Sequence, residues 1–129
     1  MGKRKLMYIE LKTGYADNGP AWISIVTFSK SGETIYFNGK ALKRIHGGGI
    51  AGNFRDLESG DEYWVSGVKK DATNRHWAGA GKIQLDVNAV SEFLQHIGKC
   101  EVDFTQYEIC SDIKATEPHD FYEIENEKF

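Results

Sequence analysis

Apolar and polar positions alternate with a period of two along residues 5–12 (KLMYIELK), placing Met7, Ile9 and Leu11 on one face and Tyr8, Glu10 and Lys12 on the other. That alternation predicts a half-buried strand. Residues 13–20 (TGYADNGP) concentrate Gly, Asp, Asn and Pro, which is loop chemistry. Residues 21–28 (AWISIVTF), rich in β-branched and aromatic side chains, predict a second strand. A third follows at residues 34–38, and Gly32 closes the antiparallel hairpin between them. Residues 41–46 alternate weakly and read as a short fourth strand; residues 62–69 and 82–86 add two more. The connections are the glycine-dense loop 47–52, a turn at 58–61 and an irregular polar segment at 70–81. The period changes once. Val90, Phe93, Leu94 and Ile97 recur at i, i+3, i+4 and i+7, predicting a helix over 87–97 with Asp86 or Asn88 at its start and Gly98 past its end. Beyond it, Val102 and Phe104 share one parity while Tyr107 and Ile109 share the other. A strand there needs a bulge or a break near Thr105 and Gln106.

Five to seven short strands plus one helix predict a mainly β (α+β) fold. The expected form is a small bent sheet or a partly open barrel of the SH3-like or OB-like class, with the helix near residues 87–97 covering one end. Ile9, Leu11, Ile23, Ile25, Val65, Ile83, Leu85, Phe93 and Leu94 are its expected core, each on the apolar face of its element. At 129 residues and 40% apolar the chain has the composition of a globule with one core. No repeat or linker divides it, so residues 1–129 read as a single domain. No apolar run approaches the roughly eighteen residues of a membrane span. The basic start is followed by alternation instead of the continuous apolar stretch of an export signal, and Leu6 stands where N-myristoylation wants Ser or Thr. A cytoplasmic protein with no membrane partner is expected. Cys100 and Cys110, with no second pair, read as reduced thiols; a disulfide between neighbouring segments is the alternative.

Charge adds an asymmetry that the overall value of -3 hides. Residues 1–100 carry fourteen Lys/Arg against ten Asp/Glu, whereas residues 101–129 carry two against nine. The acidic tail, residues 111–129, is expected to dock on the body, shield it from polyanions, or fray as a solvated end. Catalytic signatures are missing from the sequence: no nucleophile elbow, no phosphate-binding loop ending in Lys and Ser/Thr, and no His-Glu-x-x-His. The glycines of 47–52 precede no helix that could complete a phosphate site. His46, His76, His96 and His119 are scattered without a second His or Cys at ligand spacing, so neither a metal nor a cofactor is expected. Two clusters remain as candidate contact surfaces. One is Lys40, Lys43, Arg44 and His46 with nearby Arg55; the other is Lys69, Lys70, Asn74, Arg75, His76 and Trp77. Cations interleaved with aromatics suit phosphates, single-stranded nucleic acid or an acidic partner, and the same residues also serve as an ordinary solvated surface.

A likeness rests on the opening Tyr8-Ile9-Glu10-Leu11-Lys12, Asn18-Gly19-Pro20-Ala21-Trp22-Ile23 and Tyr36-Phe37-Asn38-Gly39-Lys40. It extends to Glu62-Tyr63-Trp64-Val65-Ser66-Gly67-Val68-Lys69-Lys70 and Arg75-His76-Trp77-Ala78-Gly79. The chain resembles a family of short uncharacterised bacterial proteins that are sometimes labelled 1-deoxyxylulose-5-phosphate synthase. The resemblance implies no activity, and the residues do not fit that label. Gly60-Asp61 continues to Glu62 where the thiamine-diphosphate motif has a second Gly, and no Asn-Asn follows to complete a magnesium site. The function expected is a non-enzymatic binding or protein-interaction module, with a nucleic-acid-binding domain as the alternative. A third reading, an enzyme, requires His76, Arg75 and a carboxylate such as Asp71 or Asp56 to share a pocket.

Overall fold

The computed structural model describes residues 3–12, 20–46, 52–70 and 82–121. Within them run β1 (Arg4–Lys12), β2 (Ala21–Phe28), β3 (Thr34–Phe37), β4 (Lys40–Arg44), β5 (Phe54–Asp56), β6 (Glu62–Gly67), β7 (Ile83–Asp86), a helix α1 (Val90–Ile97) and β8 (Tyr107–Cys110). Six strands stand side by side in the order β1-β6-β5-β4-β3-β2, each pair antiparallel, and pairing of β1 with β2 closes the ring. β7 and β8 extend from β2 as parallel neighbours. The fold is thus mainly β: a small closed barrel of the SH3-like or OB-like class with two further strands and one short helix.

Local chemistry explains most of the strand ends. Asn38 and Gly39 form a two-residue turn between Phe37 and Lys40, both at positive φ (50° and 74°), the conformation that favours Asn-Gly between paired strands. The β2–β3 turn is held by Gly32 N–H donating to Ser29 O (3.0 Å) and by Ser29 Oγ accepting from Thr34 N–H (3.1 Å). Asp86 caps a single 3-10 turn (Val87–Ala89) that leads into α1, its side chain accepting from Asn88 N–H at 2.9 Å. Gly98 ends the helix, with Lys99 N–H bonded to Leu94 O. The break foreseen near Thr105 is a turn built on Asp103. Its carbonyl accepts from the N–H groups of Gln106 and Tyr107 before β8 begins. β5 was not legible as a strand, because its three residues, with Phe54 and Asp56 buried and Arg55 exposed, are too short to show a period.

Two apolar clusters lie on opposite sides of the barrel wall. Inside, all six strands contribute: Ile9, Val26, Ile35, Phe37, Leu42, Phe54, Tyr63 and Val65. Outside, Tyr8, Ala21, Ile23, Ile83, Leu85 and Tyr107 pack beneath α1, whose Phe93 is fully buried and meets the Tyr107 ring edge-on at 5.0 Å. The wall therefore buries both faces along β1. Tyr8, on the polar side of the alternation, is as buried as Ile9, because β7 and α1 cover the face that a lone barrel would leave wet, and Glu10 beyond it is buried too. Glu10 is satisfied there by the Tyr8 hydroxyl and by Lys12 Nζ at 2.9 Å. Of the expected core, Ile9, Ile23, Val65, Ile83, Leu85 and Phe93 are buried, while Leu11, Ile25 and Leu94 are half-buried at its rim. After β8 the chain runs along the β3–β4 hairpin. Lys114 N–H donates to Asn38 Oδ1, Gly39 N–H donates to Thr116 Oγ1, and Phe121 buries against Tyr36, Ala41 and Leu57.

Candidate functional site

The β4–β5 register places Lys43 directly opposite Arg55. Their chain neighbours Leu42 and Phe54 fill the barrel interior, so both cations project from its outer face. Among the described residues neither side chain has a hydrogen-bond or ion-pair partner within reach. Like charges facing each other across an antiparallel pair are destabilising, and Glu62, opposite Arg55 on β6, offsets part of that cost. The two line a groove of about 450 Å³ together with Arg44, His46, Asp56 and Leu57.

The remaining charges of the groove are committed. The Arg44 guanidinium lies 4.7 Å over the Phe54 ring and donates to Gly32 O (3.4 Å), with its Nε 3.8 Å from Glu33 Oε2. His46 Nε2 lies 2.9 Å from that same oxygen, so one carboxylate orients two side chains. Asp56, 2% exposed, spends Oδ1 on the Glu58 and Ser59 N–H groups of the β5–β6 turn, and its Oδ2 sits 3.6 Å from Lys40 Nζ. Its charge is thus largely answered before it reaches Lys43 or Arg55.

A second hollow, about 340 Å³, adjoins the first across the β2–β3 turn. Lys3, Lys5 and Lys30 line it with Ser29, Ser31 and Phe28, and no described carboxylate does. Lys3 O accepts from Phe28 N–H at 2.8 Å, while Lys5 Nζ stands 5.7 Å from the Phe28 ring centre. Gly32 belongs to this hollow, and its carbonyl is the one that receives Arg44 from the other. Strand direction explains the gathering. β1 and β3 begin, and β2 and β4 end, around this turn, and β5 begins beside the end of β4. Cations scattered from residue 3 to residue 55 therefore meet. At the β5–β6 turn the balance reverses, with Asp56, Glu58 and Asp61 close together.

The first cluster read from sequence is thus brought together: Lys43, Arg44, His46 and Arg55 share the groove, while Lys40 lies apart on Asp56. Lys69 and Lys70 follow β6 on the flank that carries α1, where His96 Nε2 bonds Val68 O at 2.6 Å, and they line neither hollow. Asn74, Arg75, His76, Trp77 and Asp71 lie outside the described residues. Lys3, Lys5 and Lys30 were missed as a site: the basic start was weighed only as an export signal, and its meeting with Lys30 depends on the barrel closing.

A third hollow, about 320 Å³, lies between β2 and residues 113–116 and contains Asp86, whose oxygens accept from Ser24 Oγ (2.8 Å) and Asn88 N–H. Cys100 and Cys110 are unbonded; burial, then Asp112 and Asp86, pushes the Cys110 thiol up to about 11, leaving little nucleophilic thiolate near neutrality. Among the described residues no group of three or more His, Cys, Asp or Glu is placed to hold a metal, and no helix is long and apolar enough to cross a membrane. Comparison with protein-family models, curated proteins and solved structures finds no match.

Proposed function

We propose that the protein is a non-enzymatic, cytoplasmic binding module that holds an anionic partner against the two hollows around the β2–β3 turn. The observation that carries this reading is the directly opposed pair of half-buried Lys43 and exposed Arg55, neither of whose side chains forms an ion pair with a described residue, although Glu62 faces Arg55 across β5–β6. The repulsion that Glu62 does not offset costs stability in the free protein, and a bound anion converts that cost into attraction. The committed groups beside it support binding over catalysis: His46 is tied to Glu33, and Asp56 is spent on a turn and on Lys40. The unbonded thiols support the cytoplasmic assignment.

A protein of net charge -3 has no reason to adhere to a sulfonate cation exchanger at pH 7 unless its cations are grouped. The native protein is expected to be retained at low salt. The variant Lys43→Glu/Arg55→Glu should flow through, whereas Lys82→Glu/Lys99→Glu, with the same net charge, should still be retained. Flow-through of the native protein, or equal behaviour of the two variants, overturns the proposal.

A further inference from the structure

We infer that the anion is the phosphodiester backbone of a nucleic acid, with successive phosphates taken by the Lys43/Arg55 groove and by the Lys3/Lys5/Lys30 hollow. This rests on the binding reading above and narrows its partner. An acidic protein would supply the charge, but protein interfaces draw their affinity from apolar and aromatic anchors and are depleted in Lys. Here the exposed large apolar side chains among the described residues are Trp64, Val87, Phe104 and Ile109, and none lines either hollow. The apolar contribution is confined to half-buried Ile45 and Leu57 in the groove and Phe28 beneath Lys5. A polar, strongly positive surface is what nucleic-acid contacts require.

The donors also fit phosphate. Arg55 presents an uncommitted guanidinium fork beside the point charge of Lys43, a pairing suited to two oxygens of one phosphate. In the second hollow Ser29 and Ser31 lie Oγ to Oγ at 3.4 Å, and each oxygen already accepts a backbone N–H, from Thr34 and Glu33 respectively. One hydroxyl proton serves to bridge them, which leaves the other to donate outward among three ammonium groups. Arg44, fixed on Phe54 and Glu33, joins the hollows and supplies field more than contact.

The test is fluorescence anisotropy of the full chain with a labelled mixed-sequence 20-nucleotide single strand and with its duplex, with poly-L-glutamate as a competitor lacking phosphate. Five neutralised phosphates on a single strand predict a slope of log K against log salt of about -3.5, or roughly a hundredfold loss of affinity between 50 and 200 mM salt. Lys43→Glu/Arg55→Glu and Lys3→Glu/Lys5→Glu/Lys30→Glu should each weaken binding at least about tenfold and flatten the slope, by about 1.4 and 2.1 respectively. Lys82→Glu/Lys99→Glu should change neither, and unchanged circular dichroism and melting temperature show that the variants are folded. If both oligonucleotides fail to bind while poly-L-glutamate binds and the sulfonate resin retains the protein, the nucleic-acid assignment falls and the anion-binding reading stands. Loss of retention on the resin removes both. Oligonucleotide binding that neither hollow's variants diminish removes the site.

Discussion

Phe93 and Tyr63 occupy the two apolar clusters on either side of the barrel wall, and each offers a measurement. Phe93 of α1 is fully buried against Tyr107, so Phe93→Ala should cost about 3 to 5 kcal/mol in urea unfolding. A loss below about half a kcal/mol, the scale of surface changes, would mean that the helix does not pack there. Burial, then Asp56 and Asp61, pushes the Tyr63 hydroxyl up to about 12. The folded state thus keeps this proton through a range where the unfolded chain, titrating near 10, has lost it. Its contribution is fully present below pH 10 and disappears as the pH rises towards 12, a loss of about 2 to 3 kcal/mol by linkage. Unfolding midpoints measured from pH 9 to 12 should fall, and Tyr63→Phe should flatten the fall. Tyr107, raised by burial and by Asp103, leaves a residual slope. An equal fall in native and variant protein would contradict the environment described for Tyr63.

At the level of elements, period was legible and pairing was not. The strands at β1, β2 and β6 and the stripe of α1 follow from alternation and from the spacing of Val90, Phe93, Leu94 and Ile97. Alternation alone has no way to report that β1 is covered on both sides, because that depends on β7 and α1 arriving from seventy and more residues later. β5 was lost for a related reason. Its place is set by Gly52 and Asn53, which run against β6: Asn53 exchanges side-chain hydrogen bonds with the Val65 backbone, and Gly52 N–H reaches Glu62 Oε1 at 2.9 Å. A Cβ on Gly52 would stand 2.5 Å from Tyr63 O and 2.8 Å from Tyr63 N, both backbone atoms that move only with the strand. Gly52→Ala should therefore destabilise by about 1 to 3 kcal/mol, as overpacking does. Gly67→Ala, where an added Cβ meets nothing within 4 Å, should stay within about half a kcal/mol. Equal unfolding midpoints for the two variants would contradict the close approach of Gly52 to β6.

For the whole molecule, the candidate surface was half visible beforehand. Lys43, Arg44 and His46 are near neighbours along the chain and Arg55 is close to them, so composition marked them. Lys3, Lys5 and Lys30 join only because antiparallel strands bring alternate ends together, a fact of topology that no local window contains. The same topology has a consequence during synthesis. β1 is paired on one side with β2, its neighbour in sequence, and on the other with β6, whose residues follow about fifty positions later. At roughly 5 to 20 residues per second, several seconds separate the emergence of the β1–β2 hairpin from that of its closing partner. Through that interval the Met7–Lys12 backbone is an open edge bearing Ile9 and Leu11, the kind of edge that recruits other chains. A chain ending at residue 61 should consequently aggregate, as read by light scattering, and a synthetic peptide of residues 62–67 added in excess should slow it. If the shortened chain stayed monomeric, the edge would be harmless. Otherwise the delay before the last seam forms is the period when this protein most depends on dilution or on a chaperone.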